Sequence, residues 1–173
     1  MKVAVILPAA GLGTRMGKGT AEKAGTSRKQ FMLLDGSPIL MHTVRKFAAS
    51  DRVGAIVIAV RGEDTAWVRE MLAEEFESGR VRVVEGGNSR QESVENALRS
   101  LGPEYALVAV HDAVRPFIDL ETIHKVFDEA AATGAAIVAV PAELVRKSCS
   151  AFTSTPRTSV SDFAAMAAAT PAA

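Results

Sequence analysis

Short apolar runs rich in β-branched residues alternate with longer amphipathic segments along the first 140 residues. Runs of this length, bounded by Pro, Gly or charged residues, are typical of buried strands. The run at 53–60 is apolar on both faces, as in parallel strands covered by helices from both sides. The alternation predicts an α/β fold, with a mostly parallel, twisted sheet between two layers of helices. The predicted strands are 2–7, 53–60, 81–85, 105–110 and 135–140.

The segments between these strands carry the start and stop signals of helices. Apolar residues recur in them at intervals of three and four, so one face of each helix is expected to be buried. A helix is predicted from about 63 to 77. The expected caps of the others are Ser37, with Pro38 as first helical residue; Ser89, with Glu92 in a capping box; and Asp119, with Gly134 ending its helix.

The first strand runs into a loop of small residues at 8–17 and then into a basic segment that ends at Gln30. Small residues allow backbone N–H groups to approach an anion closely, and nearby cations neutralise its charge. Ligands usually bind at the carboxyl edge of such a sheet, so the loop is a candidate polyphosphate site; the alternative is a tight turn followed by a solvated loop. Between Gly11 and Gln30 the sequence contains one acidic residue, Glu22, and five basic residues, Arg15, Lys18, Lys23, Arg28 and Lys29.

Two familiar glycine motifs do not fit this loop. A Walker A motif requires Gly, four residues and then Gly-Lys-Ser/Thr, whereas Gly11 and Gly17 enclose five residues and Lys18 is followed by Gly19. A dinucleotide fingerprint requires G-x-G-x-x-G, but Met16 stands at its third glycine. The mismatches exclude a P-loop and argue strongly against an NAD-dependent oxidoreductase.

Charge and composition argue against several other classes. The length of 173 residues fits one domain, and the formal net charge of zero argues against non-specific nucleic-acid binding. The N-terminal apolar run is too short for a signal peptide or a membrane span, so we expect no membrane partner and a cytoplasmic location. The single cysteine, Cys149, excludes an internal disulfide and offers no metal cluster.

Three motifs, taken in order and with their spacing, resemble one enzyme family. The loop Pro8-Ala9-Ala10-Gly11-Leu12-Gly13-Thr14-Arg15-Met16, followed by Lys29-Gln30, resembles nucleotidyltransferases, which join a nucleoside triphosphate to a phosphorylated alcohol and release pyrophosphate. The segments 86–94 and 111–116 are similar specifically to the 2-C-methyl-D-erythritol 4-phosphate cytidylyltransferase family of the non-mevalonate isoprenoid pathway. The resemblance covers about residues 1–141.

The resemblance implies a Rossmann-like nucleotidyltransferase fold and transfer of a cytidylyl group from CTP to 2-C-methyl-D-erythritol 4-phosphate, with Mg²⁺ as cofactor. It implies that Arg15 and Lys29 are catalytic, stabilising charge on the transferred group, and that Asp112 lies near the ribose or the acceptor and is a candidate metal ligand. The expected nucleotide-binding residues are Pro8, Ala9, Ala10, Gly11, Gly13, Gly87, Asn88, Ser93, Asp112 and Ala113.

Two of these motifs also have purely structural interpretations. A glycine turn at Gly86 and Gly87, followed by a well-capped helix, requires no ligand. Asp112 and Arg115 are three residues apart on one loop and could pair with each other, instead of Asp112 holding a metal or a substrate hydroxyl.

The sequence changes character after Pro141. Residues 143–173 are rich in Ala, Ser and Thr and lack periodic apolar strands, although Ser161 and Asp162 could cap a short helix through Ala169. We therefore predict a nucleotide-binding nucleotidyltransferase core over 1–142 and a tail over 143–173 that is truncated or frame-shifted and disordered, so that the fold is C-terminally incomplete. The resembled family is homodimeric, and its dimer arm is not recognisable here.

Two alternative functions stay open on the sequence. One is a catalytically impaired nucleotide-binding fragment, which the unmatched tail favours. The other is a sugar-phosphate nucleotidyltransferase that uses another nucleoside triphosphate, against which the segment 86–94 argues.

Overall fold

The computed structural model describes residues 1–11, 28–73, 75–76 and 79–139, together with the backbone of residues 165–169. The strands are β1 (Val3–Pro8), β2 (Leu33–Leu34), β3 (Ser37–Pro38), β4 (Val53–Val60), β5 (Val81–Glu85), β6 (Leu107–His111), β7 (Ala135–Ile137) and β8 (Ala165–Ala169). The helices are α1 (Ile39–Ala48), α2 (Thr65–Ala73), α3 (Arg90–Arg99) and α4 (Leu120–Thr133), with single 3₁₀ turns at Lys29–Phe31 and Gly62–Asp64. None of these described helices is long and apolar enough to cross a membrane.

Within the described residues, six strands form one sheet in the order β5-β4-β1-β6-β8-β7. The first four are parallel neighbours, and Ile6 of β1 lies opposite Val57 of β4 and Val110 of β6. The prediction of a parallel sheet is confirmed for these strands. Their carboxyl ends meet at one edge, which is where the loops after β1, β5 and β6 come together.

The other two strands differ from the sequence prediction. β8 pairs antiparallel with both β6 and β7, so β7 has no direct contact with β6 in the ladder. The expectation of a helix through Ala169 is wrong for residues 165–169, because an alanine-rich run with good helix propensity pairs here with the open edge of β6. β7 ends at Ile137, and residues 140–164 and 170–173 lie outside the described part of the chain. The predicted truncation and disorder of the tail therefore stay predictions.

Successive side chains of β1 point to opposite faces of the sheet, which builds two separate cores. Val5 and Leu7 pack with residues of α1, α2 and α4, whereas Ile6 packs with Ala97 of α3. The three-layer arrangement is therefore confirmed. The core is mainly aliphatic, and Phe47 and Phe127 are its largest fully buried side chains.

The predicted caps of α3 and α4 are confirmed. Ser89 Oγ accepts a hydrogen bond from the Glu92 N–H at 3.0 Å, and a Glu92 carboxylate oxygen accepts from the Asn88 N–H at 2.7 Å. Asp119 accepts from the Thr122 N–H at 2.6 Å, and this backbone bond lowers the pKa of Asp119. Gly134 ends α4 with a φ of 92°, a left-handed conformation that suits glycine.

The start of α1 differs from the prediction. Ser37 and Pro38 form β3, which pairs with β2, so Ser37 does not cap the helix and Pro38 precedes its first residue. The cause is the turn between the two strands, where Asp35 and Gly36 both have positive φ, 49° and 78°. Two such residues make a tight hairpin that holds Ser37 and Pro38 in an extended conformation.

The helix predicted over 63–77 is shorter than expected and begins two residues later. A 3₁₀ turn occupies Gly62–Asp64 and α2 spans Thr65–Ala73, while residues 74, 77 and 78 are outside the described ranges. Val68 and Leu72 bury the apolar face of α2 as predicted.

Candidate functional site

A cavity of about 270 Å³ opens at the carboxyl ends of β1 and β6. The loops after β1, β5 and β6 form its walls, together with the 3₁₀ turn at Lys29–Phe31 and the first turn of α3. The lining residues are Pro8, Ala9, Ala10, Gly11, Lys29, Gln30, Gly87, Asn88, Ser89, Arg90, Ser93, Asp112, Ala113 and Val114.

Ten of the twelve residues predicted for the site line this cavity. Arg15 and Gly13, the other two, lie outside the described residues. The residues brought together come from four separate segments of the sequence, 8–11, 29–30, 87–93 and 112–114. Their individual roles stay predictions.

The wall after β1 is fixed by hydrogen bonds to its neighbours. The Ala9 N–H donates to the Ala59 carbonyl at 2.7 Å, and Gln30 Nε2 donates to the Ala9 carbonyl at 2.6 Å. Gln30 is only 4% exposed. It ties the 3₁₀ turn to the end of β1, a role that the sequence interpretation missed, although its place beside Lys29 in the first motif was the available signal.

The glycine turn after β5 is packed too closely for other residues. A Cβ on Gly86 would lie 2.7 Å from the Cβ of Ala10, and one on Gly87 would overlap the side chain of Glu92. Glycine therefore allows the turn to approach the β1 loop and the capping carboxylate. Ser93 is buried at the base of this turn, where its hydroxyl accepts from the Gly87 N–H at 3.0 Å and donates to the Ser89 carbonyl at 2.8 Å.

Asp112 is held by two guanidinium groups. Arg115 Nε donates to one carboxylate oxygen at 3.0 Å, and Arg90 Nη2 donates to the other at 3.0 Å. The pair with Arg115 was one of the two interpretations left open by the sequence. The pair with Arg90 was missed, and it joins the start of α3 to the loop after β6 across the cavity.

The described cavity residues can bind Mg²⁺ only together with oxygen atoms of a bound substrate. No group of three or more His, Cys, Asp and Glu side chains that could hold a metal occurs in the described ranges. Asp112 is the one carboxylate among the described lining residues, and a carboxylate has about four lone-pair positions, of which the two arginines use two. Because Mg²⁺ is commonly bound by one or two carboxylates plus substrate phosphates, Asp112 fits as a single protein ligand.

The loop after β6 is supported from behind by buried groups. His111 is fully buried, its Nε2 lies 3.0 Å from the Arg115 carbonyl, and its ring packs edge-on against Phe47 with centroids 5.0 Å apart. Thr43 Oγ1 donates to the Ala113 carbonyl at 2.9 Å. These contacts fix the backbone that carries Asp112.

Burial lowers the pKa of His111, and this outweighs the hydrogen bond to Arg115 and the charge of Asp112, which raise it; the charge of Arg115 lowers it further. At pH values below the ordinary histidine pKa of about 6.5, His111 therefore binds a proton in the unfolded chain more readily than in the folded chain. We expect the free energy of unfolding to fall as the pH drops below about 6.5. Urea unfolding between about pH 5 and pH 7.5 measures this slope, and His111→Gln should flatten it. Equal slopes in the two proteins would contradict the prediction.

The adjacent residues Arg28 and Lys29 have different neighbours in the fold. Lys29 lines the cavity, whereas the guanidinium of Arg28 forms ion pairs with Glu63 and Asp64 before α2. Arg28, one of the five cations of this stretch, therefore does not line the cavity. Lys18 and Lys23 lie outside the described residues.

Comparison with known proteins places the chain in a family. The model of the IspD family, 2-C-methyl-D-erythritol 4-phosphate cytidylyltransferase, matches residues 3–159. Curated relatives with that name include one from Solibacter usitatus (strain Ellin6076), 84% identical over 142 residues, which are 82% of this chain and 58% of the relative. Another from Acidobacterium capsulatum is 46% identical over 143 residues, 82% of this chain and 59% of the relative.

A solved structure supports the same assignment. The 4-diphosphocytidyl-2C-methyl-D-erythritol synthase from Anaerococcus prevotii DSM 20548 matches with a TM-score of 0.64 and 25% identity, over 79% of this chain and 54% of that one. The chain spans less than two thirds of the length of these relatives. It belongs to the 2-C-methyl-D-erythritol 4-phosphate cytidylyltransferase family.

Proposed function

We propose that this chain binds CTP in the cavity at the end of β1 and transfers its cytidylyl group to 2-C-methyl-D-erythritol 4-phosphate. The products are CDP-methylerythritol and pyrophosphate. The observation that carries the proposal is the convergence of the β1 loop, Lys29, the Gly87 turn and Asp112 on one cavity. The names of the relatives favour CTP over another nucleoside triphosphate.

In the proposed reaction a phosphate oxygen of the acceptor attacks the α-phosphorus of CTP. A new P–O bond forms as the bond to the bridging oxygen of the β-phosphate breaks, and pyrophosphate leaves with that oxygen. The step needs no covalent enzyme intermediate. The protein contributes positioning and stabilisation of the charge that develops on the phosphoryl oxygens.

The chain's own residues divide this work. The small residues of the β1 loop allow backbone N–H groups to approach the phosphates, and the Lys29 ammonium adds a positive charge beside them. We assign Arg15, from the same loop, to the same task. Asp112, fixed by Arg90 and Arg115, is assigned to the ribose or acceptor side and to holding Mg²⁺. When bound, Mg²⁺ would neutralise charge on the triphosphate.

Pyrophosphate release tests the proposal directly. The full chain is incubated with Mg²⁺, 2-C-methyl-D-erythritol 4-phosphate and CTP, UTP, GTP or ATP in turn, and pyrophosphate is measured by a coupled assay. We expect release with CTP alone, and only when the acceptor is present. Release with UTP or GTP and a sugar phosphate would instead indicate a different nucleotidyltransferase.

Calorimetric titration with CTP separates binding from turnover. The chain covers 58% of the length of the 84%-identical relative, so CTP binding and turnover with the acceptor are measured separately. CTP binding without pyrophosphate release would replace the proposal by a catalytically impaired nucleotide-binding fragment. A cytoplasmic location also stays a prediction for this chain.

A further inference from the structure

We propose that Arg28 is a positioning residue that holds Lys29 at the cavity through its ion pairs with Glu63 and Asp64. The inference rests on the proposed function in one respect, since Lys29 is expected to act on the triphosphate of CTP. It gives a positioning role to Arg28, which does not line the cavity.

The first observation is that two adjacent residues have different surroundings. Arg28 Nη2 lies 2.7 Å from a carboxylate oxygen of Glu63, and Arg28 Nη1 contacts the carboxylate of Asp64. Lys29, the next residue, lines the cavity instead. Engaging Arg28 on one side of the turn leaves Lys29 on the other.

The ion pair of Arg28 with Asp64 is better shielded than an ordinary surface pair, whereas the Glu63 side chain is 61% exposed. The side chains of Arg28 and Asp64 are 19% and 14% exposed, so water screens their attraction less than at the surface. The guanidinium group also lies 5.9 Å from the ring centroid of Phe31, and that buried ring packs edge-on against Trp67 of α2. Charge and aromatic packing therefore attach the same short turn to the start of α2.

Gln30 supplies a second attachment on the opposite side of Lys29. Its side-chain amide donates to the Ala9 carbonyl at 2.6 Å, at the end of β1. Lys29 thus lies between one residue anchored to the 3₁₀ turn before α2 and one anchored to the loop after β1. A lysine side chain is flexible, so fixing its backbone at both neighbours limits where the ammonium group can reach.

A double-mutant cycle on turnover tests whether Arg28 acts through Lys29. The kcat for pyrophosphate release and the KM for CTP are measured for the wild-type chain, Arg28→Ala, Lys29→Ala and the double variant. We expect Arg28→Ala to lower kcat about tenfold with little change in KM, and to have almost no further effect in the Lys29→Ala background. Asp64→Asn should resemble Arg28→Ala. Arg28→Lys should recover only part of the rate, because a compact ammonium lacks the two separate nitrogen donors with which the guanidinium reaches Asp64 and Glu63.

Arg45→Ala is the matched control. It removes a two-bond arginine–carboxylate pair with Glu75, at 2.6 Å for both bonds, and neither residue lines the cavity. Its kcat should equal that of the wild type. An equal loss of kcat from Arg28→Ala with and without Lys29 would overturn the proposal, as would a loss matched by Arg45→Ala.

Amide hydrogen exchange gives a readout that does not depend on turnover. The N–H groups of Phe31 and Met32 donate to the Arg28 and Lys29 carbonyls at 3.0 and 3.2 Å. Arg28→Ala should accelerate exchange at both, and unchanged exchange would overturn the positioning role whatever the assay shows. Faster exchange in a protein whose wild type neither binds nor turns over CTP would support the anchor and refute the proposed function.

Discussion

Replacing Lys29 with alanine is expected to lower the kcat for pyrophosphate release by about 10²–10³-fold, while CTP affinity changes far less. Lys29 lines the cavity between the β1 loop and the glycine turn, where its ammonium group can neutralise charge that grows on the phosphoryl oxygens as the new bond forms. An interaction that strengthens in the transition state raises kcat, whereas one that is equally strong with bound substrate alters only affinity. Steady-state kinetics together with calorimetric titration of CTP separate the two effects.

Lys46→Ala is the control for Lys29→Ala. Lys46 is exposed in the last turn of α1 and does not line the cavity, so the substitution removes the same charge without touching the site. Its kcat should match the wild type. Turnover of Lys29→Ala equal to that of Lys46→Ala would remove Lys29 from the mechanism, and a parallel loss of CTP affinity and kcat would assign it to substrate binding.

Phe47→Ala is expected to reduce the free energy of unfolding by about 3–5 kcal/mol. Phe47 is 2% exposed, lies in the core between α1 and the sheet, and packs against the His111 ring behind the Asp112 loop. The loss combines the transfer free energy of the ring with the cost of the cavity it leaves. It is large beside a typical total stability of about 5–15 kcal/mol, and urea unfolding monitored by circular dichroism measures it.

Phe117→Ala removes the same side chain from the surface. Phe117 is 70% exposed, so its removal should change the free energy of unfolding by no more than about 0.5 kcal/mol. A loss of unfolding free energy from Phe47→Ala as small as that from Phe117→Ala would contradict the prediction. It would show that burial of Phe47 contributes little and that the core behind the Asp112 loop is loosely packed.

The composition of the site was predictable because its parts are local signals. A strand that ends in small residues, a glycine turn before a capped helix and a polar loop after a strand can each be recognised without neighbours. Parallel strands then bring their carboxyl ends to one edge. For that reason Ala10, Gly87 and Asp112 line one cavity although they are far apart in the sequence.

The pairings within the site were not predictable, because a charged residue has many possible partners. Arg28 and Lys29 have the same charge and adjacent positions, and only the folded arrangement places one against the turn before α2 and the other at the cavity. The contact of Arg90 with Asp112 joins residues 22 positions apart on different elements. The identity of a side chain limits what it can bind, but the distance to each partner depends on the whole fold.

The sequence by itself determined that strands and helices alternate and that the sheet is mostly parallel, since hydrophobic periodicity is a property of short segments. It also determined the caps of α3 and α4, where the bonding partners are three residues apart. Only the tertiary structure decided that residues 165–169 form a strand beside β6 and that Pro38 precedes α1 instead of beginning it. In both cases a contact with a neighbouring strand outweighs the local preference of the segment, and hydrogen bonds between strands depend on what lies alongside.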